Sequence, residues 1–405
     1  MKQSKPIHNK HTHKKILAAL LCAALCLPGL AACSGSGGTD ATTALTTAGQ
    51  TTDIPTTTAS AADRLAALLS PTPDDADTQA ATLAGFNSTG VPTLQHGINL
   101  GNFFEAPNEG DWGMWFDDSY PQIIADAGFD CLRVPVMWSN HAVTYSPYTL
   151  EPLFLARIDH VVQTALAAGL TVIINIHNYN ELATDPKSEE DRFMAIWSQL
   201  SDHYKAYPQK LIFELCNEPN GAMTAQLWNE FVNKVIPIIR VKNPTRDIMV
   251  GGVNWNSAMT LRELQLPAGD KNIIGTFHFY TPMSFTHQGA EWVDNMDQYL
   301  GTTWTATQQQ KNEVTREMAF AKAWANNTGL PVFMGEFGAY SKADMASRAT
   351  WTSYVSSEAT SMGFGWSYWE FCAGFGAWDP DTQLWHAPLL AALIPNSPSL
   401  AGAES

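Results

Sequence analysis

The chain has 405 residues, of which 45% are hydrophobic and 15% charged, with a formal net charge of −16. This hydrophobic share excludes a disordered protein, and the length suffices to bury one large core or two ordinary ones. The acidic surface argues against binding nucleic acid, or anionic lipid through a basic patch, because both are negatively charged. The 14 tryptophans indicate either an aromatic-rich core or surfaces for flat ligands, so composition leaves the function open.

The first 33 residues have the pattern of a bacterial lipoprotein signal peptide. Five lysines and no acidic residue precede an apolar stretch at 16–27, which is too short to span a bilayer. Leu30-Ala31-Ala32-Cys33 then resembles the lipobox, in which the cysteine is acylated and becomes the mature N-terminus. We therefore expect removal of residues 1–32, lipidation of Cys33 and anchoring at the cell envelope or cell surface. An ordinary signal peptide is the alternative.

Residues 33–92 are predicted to be a flexible tether. They are rich in Ser, Thr and Pro and lack the apolar residues that would offset the entropy of ordering. Three cysteines remain in the chain that follows, namely Cys131, Cys216 and Cys372. Because they are few, odd in number and widely spaced in apolar segments, we expect buried free thiols rather than a disulfide framework.

After Pro92, short apolar segments alternate with helical patterns. The predicted strands are 96–101, 131–136, 171–176, 211–216, 248–253, 273–279, 332–335 and 364–368. The clearest helical patterns are 152–168, 192–207, 226–241, 308–326 and 344–360. Strands that are apolar along their length and are followed by helices predict a parallel sheet, and eight such units fit an α/β fold of the (β/α)8 TIM-barrel type. We place this domain at 93–395, with a C-terminal tail at 396–405. An open doubly wound sheet is the competitor, although no G-x-G-x-x-G follows the first strand.

Polar side chains follow nearly every predicted strand, at the barrel end where such folds hold their chemistry. Two carboxylates stand out: Glu218 after the fourth predicted strand and Glu336 at the end of the seventh, directly after residue 335. Hydrolysis of a glycosidic bond needs two carboxyl groups, one protonated and one ionised, about 5–5.5 Å apart for retention of configuration and about 6.5–9.5 Å for inversion. The alternative for each residue is a surface carboxylate in a loop.

Residues near these carboxylates have suitable chemistry. His278 and Tyr280 share one face of a strand and could tune an acid and orient a nucleophile. Arg133 could lower a carboxylate pKa, Asn217 could bond a sugar hydroxyl, and Trp369 could stack on a pyranose ring. A lone Trp is more often core, and a lone Arg more often a solvated ion pair. His177 and His278 could instead bind a metal ion, but no H-E-x-x-H or Cys-x-x-Cys motif supports a metal site.

With these residues in place, the sequence resembles glycoside hydrolase family 5 over about 93–395. The matching motifs are Gly97-Ile98-Asn99-Leu100-Gly101-Asn102, Arg133-Val134-Pro135, Ile176-His177, Asn217-Glu218-Pro219, His278-Phe279-Tyr280, Gly335-Glu336-Phe337-Gly338 and Trp369. The resemblance implies a retaining β-glycosidase without a cofactor, with Glu218 as acid/base and Glu336 as nucleophile. It gives supporting roles to Arg133, His177, Asn217, His278, Tyr280 and Trp369.

Two further segments are similar to an endoglucanase subgroup that also accepts mannans. Residues 105–113 and 285–292 carry this likeness, which implies that Asn102 and Glu105 contact the distal sugar and that His287 and Trp292 flank the aglycone. Asn178 stands where that subgroup often has a second His, and Phe103-Phe104 is bulkier than the expected small apolar pair. The expected partner is a β-linked polysaccharide, with an endo-β-1,4-glucanase favoured, a β-mannanase as alternative and a non-catalytic glycan-binding lipoprotein as a more distant one. We expect a monomer.

Overall fold

Eight parallel strands close into a barrel. The computed structural model describes residues 94–400, so the signal peptide, Cys33 and the whole predicted tether lie outside the described residues. The strands are β1 (His96–Asn99), β2 (Cys131–Val134), β3 (Thr171–Asn175), β4 (Leu211–Glu214), β5 (Ile248–Gly251), β6 (Ile273–Phe279), β7 (Val332–Phe337) and β8 (Gly365–Tyr368). Each pairs with the next in parallel, and β8 pairs with β1. This closure confirms the predicted barrel and excludes the open sheet.

The strands match the predicted segments with small differences at their ends. Most end one or two residues early, because the chain leaves the sheet where its polar rim groups begin. By contrast, β7 continues to Phe337 and has an irregular register with both β6 and β8. Glu336 therefore stands on a strand rather than in a loop.

Helices connect the strands and cover the outside of the barrel. Those predicted from the sequence are observed as Pro152–Ala167, Glu190–His203, Ala225–Arg240, Gln308–Thr328 and Met345–Ser361. Several begin at side-chain caps, including a capping box between Thr307 and Gln310. The sequence patterns missed shorter helices, which are Tyr120–Asp126, Asn180–Thr184, Met283–Thr286 and Ala387–Leu393, and a left-handed turn at Val253–Asn256.

The barrel interior has an apolar floor with polar groups directly above it. Six inward-facing side chains form the floor, and they are Cys131, Ile173, Ile212, Met249, Ile274 and Phe333. Successive inward positions are two residues apart along a strand. The next inward positions are accordingly Arg133, Asn175, Glu214, Gly251, Thr276 and Gly335. The inward-facing positions thus change from apolar at the floor to mostly polar toward the carboxyl-terminal end of the barrel.

The ordered packing continues beyond residue 395. Ser397 is buried, and its hydroxyl donates a 2.7 Å hydrogen bond to the carbonyl oxygen of Ala127. The segment predicted as a tail therefore contributes to the barrel exterior up to at least Leu400. Among the helices of residues 94–400, none is both long and apolar enough to cross a membrane.

Arg246 holds the turn that leads into β4. Its side chain is buried and donates to the carbonyl oxygens of Tyr204, Tyr207, Pro208 and Leu211. Burial lowers the pKa of Arg246 to about 10, which still leaves the guanidinium protonated near neutral pH. Since β4 leads directly to Glu218, this buried cation helps to set the position of the site.

We predict that Arg246→Met lowers the free energy of unfolding by about 3 kcal/mol, because buried carbonyl groups lose their donor. Arg262→Met, at an exposed position, is the matched control and should change stability by less than about 0.5 kcal/mol. Urea unfolding of the full-length variants, followed by tryptophan fluorescence, measures both values. Equal values for the two variants would contradict the role assigned to Arg246.

Candidate active site

A buried arginine lies at the centre of the polar layer. Arg133 on β2 donates to both carboxylate oxygens of Glu214, at 2.6 and 3.0 Å. It also donates to Glu336 at 2.6 Å, Asn217 at 2.7 Å and Asn99 at 2.8 Å. Burial lowers the pKa of Arg133, but Glu214 and Glu336 more than offset this effect, so the pKa is raised. The guanidinium is thus a permanent positive charge that links four strands or strand ends.

Glu336 is held by two direct donors. Arg133 binds its Oε1, and the hydroxyl of Tyr280 donates to its Oε2 at 2.9 Å. Burial raises the pKa of Glu336 above its usual value, and His278 and Arg133 limit this rise. Because both donors bind the carboxylate form, the geometry favours an ionised Glu336 whose oxygens are fixed in direction.

Glu218 has a different environment. Its Oε1 lies 2.7 Å from Nδ1 of His278. Within the described residues, Glu218 makes no hydrogen bond or ion pair with Arg133. Burial raises the pKa of Glu218 to about 7, with Arg133 lowering it and Glu214 raising it. A carboxyl group with this pKa can hold a proton near neutral pH and can also release it.

The two carboxylates face each other across a short gap. One oxygen of Glu218, one oxygen of Glu336 and a ring nitrogen of His278 all lie within 4.8 Å of one another. This spacing agrees with the separation of about 5–5.5 Å that retaining glycosidases use and is well below the inverting range.

These three residues are also close enough to bind a metal ion in principle. However, the guanidinium of Arg133 already occupies one oxygen of Glu336, and the Tyr280 hydroxyl the other. A fixed positive charge at 2.6 Å disfavours a cation on the same carboxylate. The arrangement therefore suits acid/base and nucleophilic chemistry better than metal ligation, and His177 is not part of the group.

One side of the cleft is formed by residues that follow β1, β3 and β8. The rings of Trp369 and His177 stack with centroids 5.6 Å apart and planes 14° from parallel. Asn102 and Glu105 lie in the same cleft wall. The Glu105 carboxylate does not point freely into the cleft, because it accepts hydrogen bonds from the backbone N–H groups of Asn102 and Phe103.

Asn178 links two segments on this side of the cleft. Its Nδ2 donates a 2.8 Å hydrogen bond to the carbonyl oxygen of Glu105 and so links the ends of β3 and β1. Burial raises the pKa of Glu105 to about 8, against the effect of the backbone N–H of Asn102. The bulky Phe103 and Phe104 are both fully buried, so they pack into the core rather than narrow the cleft.

The other side of the cleft is an aromatic wall. Trp292 is 59% exposed and contacts the ring of Tyr340 at 4.8 Å in an edge-on arrangement. His287 and Phe375 pack against it, with ring centroids 6.4 and 6.2 Å from Trp292. Between the two sides lies a cleft of about 560 Å³ that reaches both carboxylates.

A buried carboxylate supports both sides from behind. Glu370 follows Trp369 directly and accepts hydrogen bonds from the backbone N–H groups of Cys372, Ala373 and Phe375. Burial raises the pKa of Glu370 to about 7, while these backbone donors lower it.

The structure brings the predicted site residues of the barrel together. Those that line the cleft are Asn102, Glu105, His177, Asn178, Asn217, Glu218, Tyr280, His287, Trp292, Glu336 and Trp369. Arg133 and His278 lie behind the two carboxylates and contact them.

Sequence reasoning missed several contributors. Glu214 is fully buried and pairs with Arg133, and a charged residue inside the apolar strand 211–216 was the available signal. Trp112, Tyr340 and Phe375 also line the cleft, but they lie in irregular segments where no strand or helix period indicates their direction.

The chain is similar to known proteins over most of its length. Residues 81–374 match the profile of the family described as Cellulase (glycosyl hydrolase family 5). Endoglucanase H of Acetivibrio thermocellus is 36% identical over 296 residues, which are 73% of this chain and 31% of that protein. The chain thus spans only about a third of the length of the first curated relatives it matches.

Solved structures are also similar. Endoglucanase Cel5A from Thermotoga maritima is 44% identical with a TM-score of 0.73, covering 74% of this chain and 97% of that one. The same enzyme, solved in complex with a mannotriose substrate, matches at 43% identity with a TM-score of 0.73 and the same coverage. With a catalytic-domain match over more than half of its length and this degree of identity, the chain belongs to glycosyl hydrolase family 5, the cellulase family.

Proposed function

We propose that the protein is a retaining endo-β-1,4-glucanase that cleaves internal bonds of β-linked polysaccharides. The observation that carries the proposal is the pair Glu218 and Glu336, whose oxygens lie within 4.8 Å and whose environments differ. One carboxyl group is poised to hold a proton and the other is bound by a guanidinium. A cleft open to solvent beside this pair suits a polymer that extends past the cleaved bond.

In the first step, Glu218 donates its proton to the glycosidic oxygen while Glu336 attacks the anomeric carbon. The bond to the leaving sugar breaks, and an ester forms between the sugar and Glu336. Tyr280 and Arg133 keep the attacking carboxylate in line, which reduces the entropic cost of reaching the transition state.

In the second step, the ionised Glu218 takes a proton from water, and the resulting hydroxide attacks the anomeric carbon. The ester bond to Glu336 breaks, and two inversions give net retention. The two carboxyl groups supply the acid, the base and the nucleophile, so the proposed reaction needs no cofactor.

A second candidate substrate is mannan or glucomannan. It is favoured by the similarity to Cel5A of Thermotoga maritima, which has been solved with a mannotriose substrate. Ratios of kcat/KM on carboxymethylcellulose, lichenan and glucomannan decide between the candidates. A non-catalytic glycan-binding role fits less well, because binding alone does not require two carboxylates with such different surroundings.

We further propose that the enzyme acts at the cell envelope as a monomer, held by lipid on Cys33 through the tether. The support is the basic, apolar and small-residue order of residues 1–33. Loss of residues 1–32 would remove five lysines and make the remaining chain more acidic, which suits catalysis on an uncharged polysaccharide away from an anionic lipid surface.

Glu336→Gln should lower kcat/KM on soluble cellulose by a factor on the order of 10⁴ or more, because an amide cannot form the ester. Glu263→Gln, an exposed substitution of the same kind, should leave the activity unchanged. Release of reducing ends measures both variants. Full activity of Glu336→Gln would remove the nucleophile assignment.

Glu218→Ala should lower kcat on cellulose by about 10²–10⁴-fold, because the leaving oxygen loses its acid. A dinitrophenyl cellobioside needs no such acid for its first step, and its hydrolysis by Glu218→Ala should be accelerated by azide, with a β-glycosyl azide as product. Failure of both the activated substrate and azide to restore turnover would argue against the acid/base role.

Cys33→Ser should abolish labelling of the expressed protein by palmitate and should move the protein from the membrane fraction to the soluble fraction. The reason is that acylation requires the cysteine thiol. Wild-type protein that is unlabelled and soluble would contradict the lipid anchor.

A further inference from the structure

Near the acid/base, four polar atoms of three side chains lack a hydrogen-bond partner within residues 94–400. They are Nδ2 and Oδ1 of Asn256, Oγ1 of Thr276 and Nε2 of His278. All three residues are buried, Asn256 and Thr276 completely. An unpaired buried polar group costs about 1–3 kcal/mol, so a cluster of them next to a catalytic centre indicates a function.

Thr276 and His278 face the same part of the barrel interior. They are two residues apart on β6, and both side chains point inward. On neighbouring β7, a Cβ atom placed on Gly335 would lie 3.0 Å from Oγ1 of Thr276 and 3.2 Å from Nε2 of His278. The glycine thus leaves both polar atoms facing one point that no side chain fills.

Asn256 reaches the same level from the other side. Gly251 on β5 pairs with Thr276, and a Cβ on Gly251 would lie 1.9 Å from Oδ1 of Asn256. The carboxamide of Asn256 therefore lies over Gly251, beside Thr276. Ser257, the residue after Asn256, forms an isolated parallel β-bridge with His278.

The backbone around Asn256 is strained. Asn254, Trp255 and Asn256 have φ values of 57°, 55° and 55°, a left-handed run that asparagine tolerates and that costs Trp255 roughly 1–2 kcal/mol. Strain of this kind persists where the surrounding structure requires it. Here the left-handed run directs the carboxamide of Asn256 into the barrel interior instead of into solvent.

We propose that Asn256, Thr276 and Nε2 of His278 together bind one ordered water molecule, and that Thr276 and Asn256 act through it as positioning residues that keep the His278 proton on Nδ1. A buried water typically makes about three hydrogen bonds to otherwise unpaired polar groups, which is the number of side chains present here. The proposal rests on the proposed function, since it concerns the same acid/base.

The position of this proton matters for Glu218. Burial lowers the pKa of His278 to about 4, so the ring is neutral and carries one N–H. A hydrogen-bond donor at Nε2 requires that N–H to be at Nδ1, 2.7 Å from Glu218. There it stabilises the ionised carboxylate, which the second chemical step needs, and lowers the pKa of Glu218.

Other ionisable groups also face His278, and they set the baseline against which this effect is measured. They come from β2, the end of β3, β4, β6 and β7, and are Arg133, His177, Glu214, Glu218, Tyr280 and Glu336. Thr276 and Asn256 carry no charge. Their substitution therefore leaves the charge balance intact and changes only the hydrogen bonding at Nε2.

The test compares threonine-to-valine variants of the full-length protein. In Thr276→Val the basic limb of the kcat/KM pH profile, which reports Glu218 near pH 7, should move upward by about half a pH unit, because the ionised form loses support. Thr276→Ser, which keeps the hydroxyl, should restore the wild-type profile.

Thr171→Val and Thr352→Val are matched controls, because both threonines are completely buried with an unpaired hydroxyl and lie away from His278. Both controls should keep the wild-type pH profile. An unchanged profile for Thr276→Val, or an equal shift in the controls, would overturn the proposal.

Nitrogen-15 NMR of the histidine rings provides a readout that needs neither activity nor a folded variant of Thr276. The His278 signal, identified by its loss in His278→Gln, should show a protonated Nδ1 in the wild-type protein at neutral pH. A protonated Nε2 would overturn the proposal even in an active enzyme. An inactive wild-type protein with a protonated Nδ1 would refute the proposed function and leave this inference standing.

Discussion

The site is organised around a positive charge that has no access to water. Burying a guanidinium in a barrel interior costs free energy unless carboxylates balance its charge and acceptors bind its N–H groups. Removing one partner of such a buried ion pair typically destabilises a protein by about 3–5 kcal/mol. Arg133 meets this requirement with two carboxylates and two amide oxygens. Because these partners come from β1, β4, the end of β4 and β7, satisfying one side chain also fixes the relative positions of the strands that carry the chemistry.

The same constraint makes the two facing carboxylates unequal. Glu336 receives the guanidinium directly, whereas the Glu218 carboxyl group, among the described residues 94–400, is hydrogen-bonded only to the neutral imidazole of His278. Burial acts on both, but only one has a cation in contact. The direct contact with Arg133 therefore favours the ionised form of Glu336 relative to that of Glu218. Glu214 also forms an ion pair with Arg133 and neutralises part of its positive charge. Arg133 therefore does not keep both Glu218 and Glu336 ionised.

Much of this arrangement was predictable from the sequence, because it depends on strand period and strand order. Apolar segments at regular spacing predicted the barrel, and the residues after them predicted the cleft, including Glu218 and Glu336. The direction of Glu105 was not predictable, because it depends on two backbone N–H groups in an irregular turn. Glu214 was hidden for a related reason: a charge inside an apolar strand indicates a partner, but only the closed barrel shows which one. Tyr340 and Phe375 lie in segments without a period, so their positions required three-dimensional packing.

Glu370 has a consequence for how such a cleft can change. One carboxylate anchors the segment that bears Trp369 at its start and Phe375 at its end, and these two rings belong to opposite walls of the groove. For the proposed reaction, a substitution in this segment would therefore alter the recognition of sugars on both sides of the scissile bond. By contrast, the turn that carries Glu105 and the loop that carries Trp292 each belong to one wall. Substitutions in those two loops would therefore change substrate preference on one side of the cleft without affecting the other. Substitutions in the segment after β8 would affect both sides together.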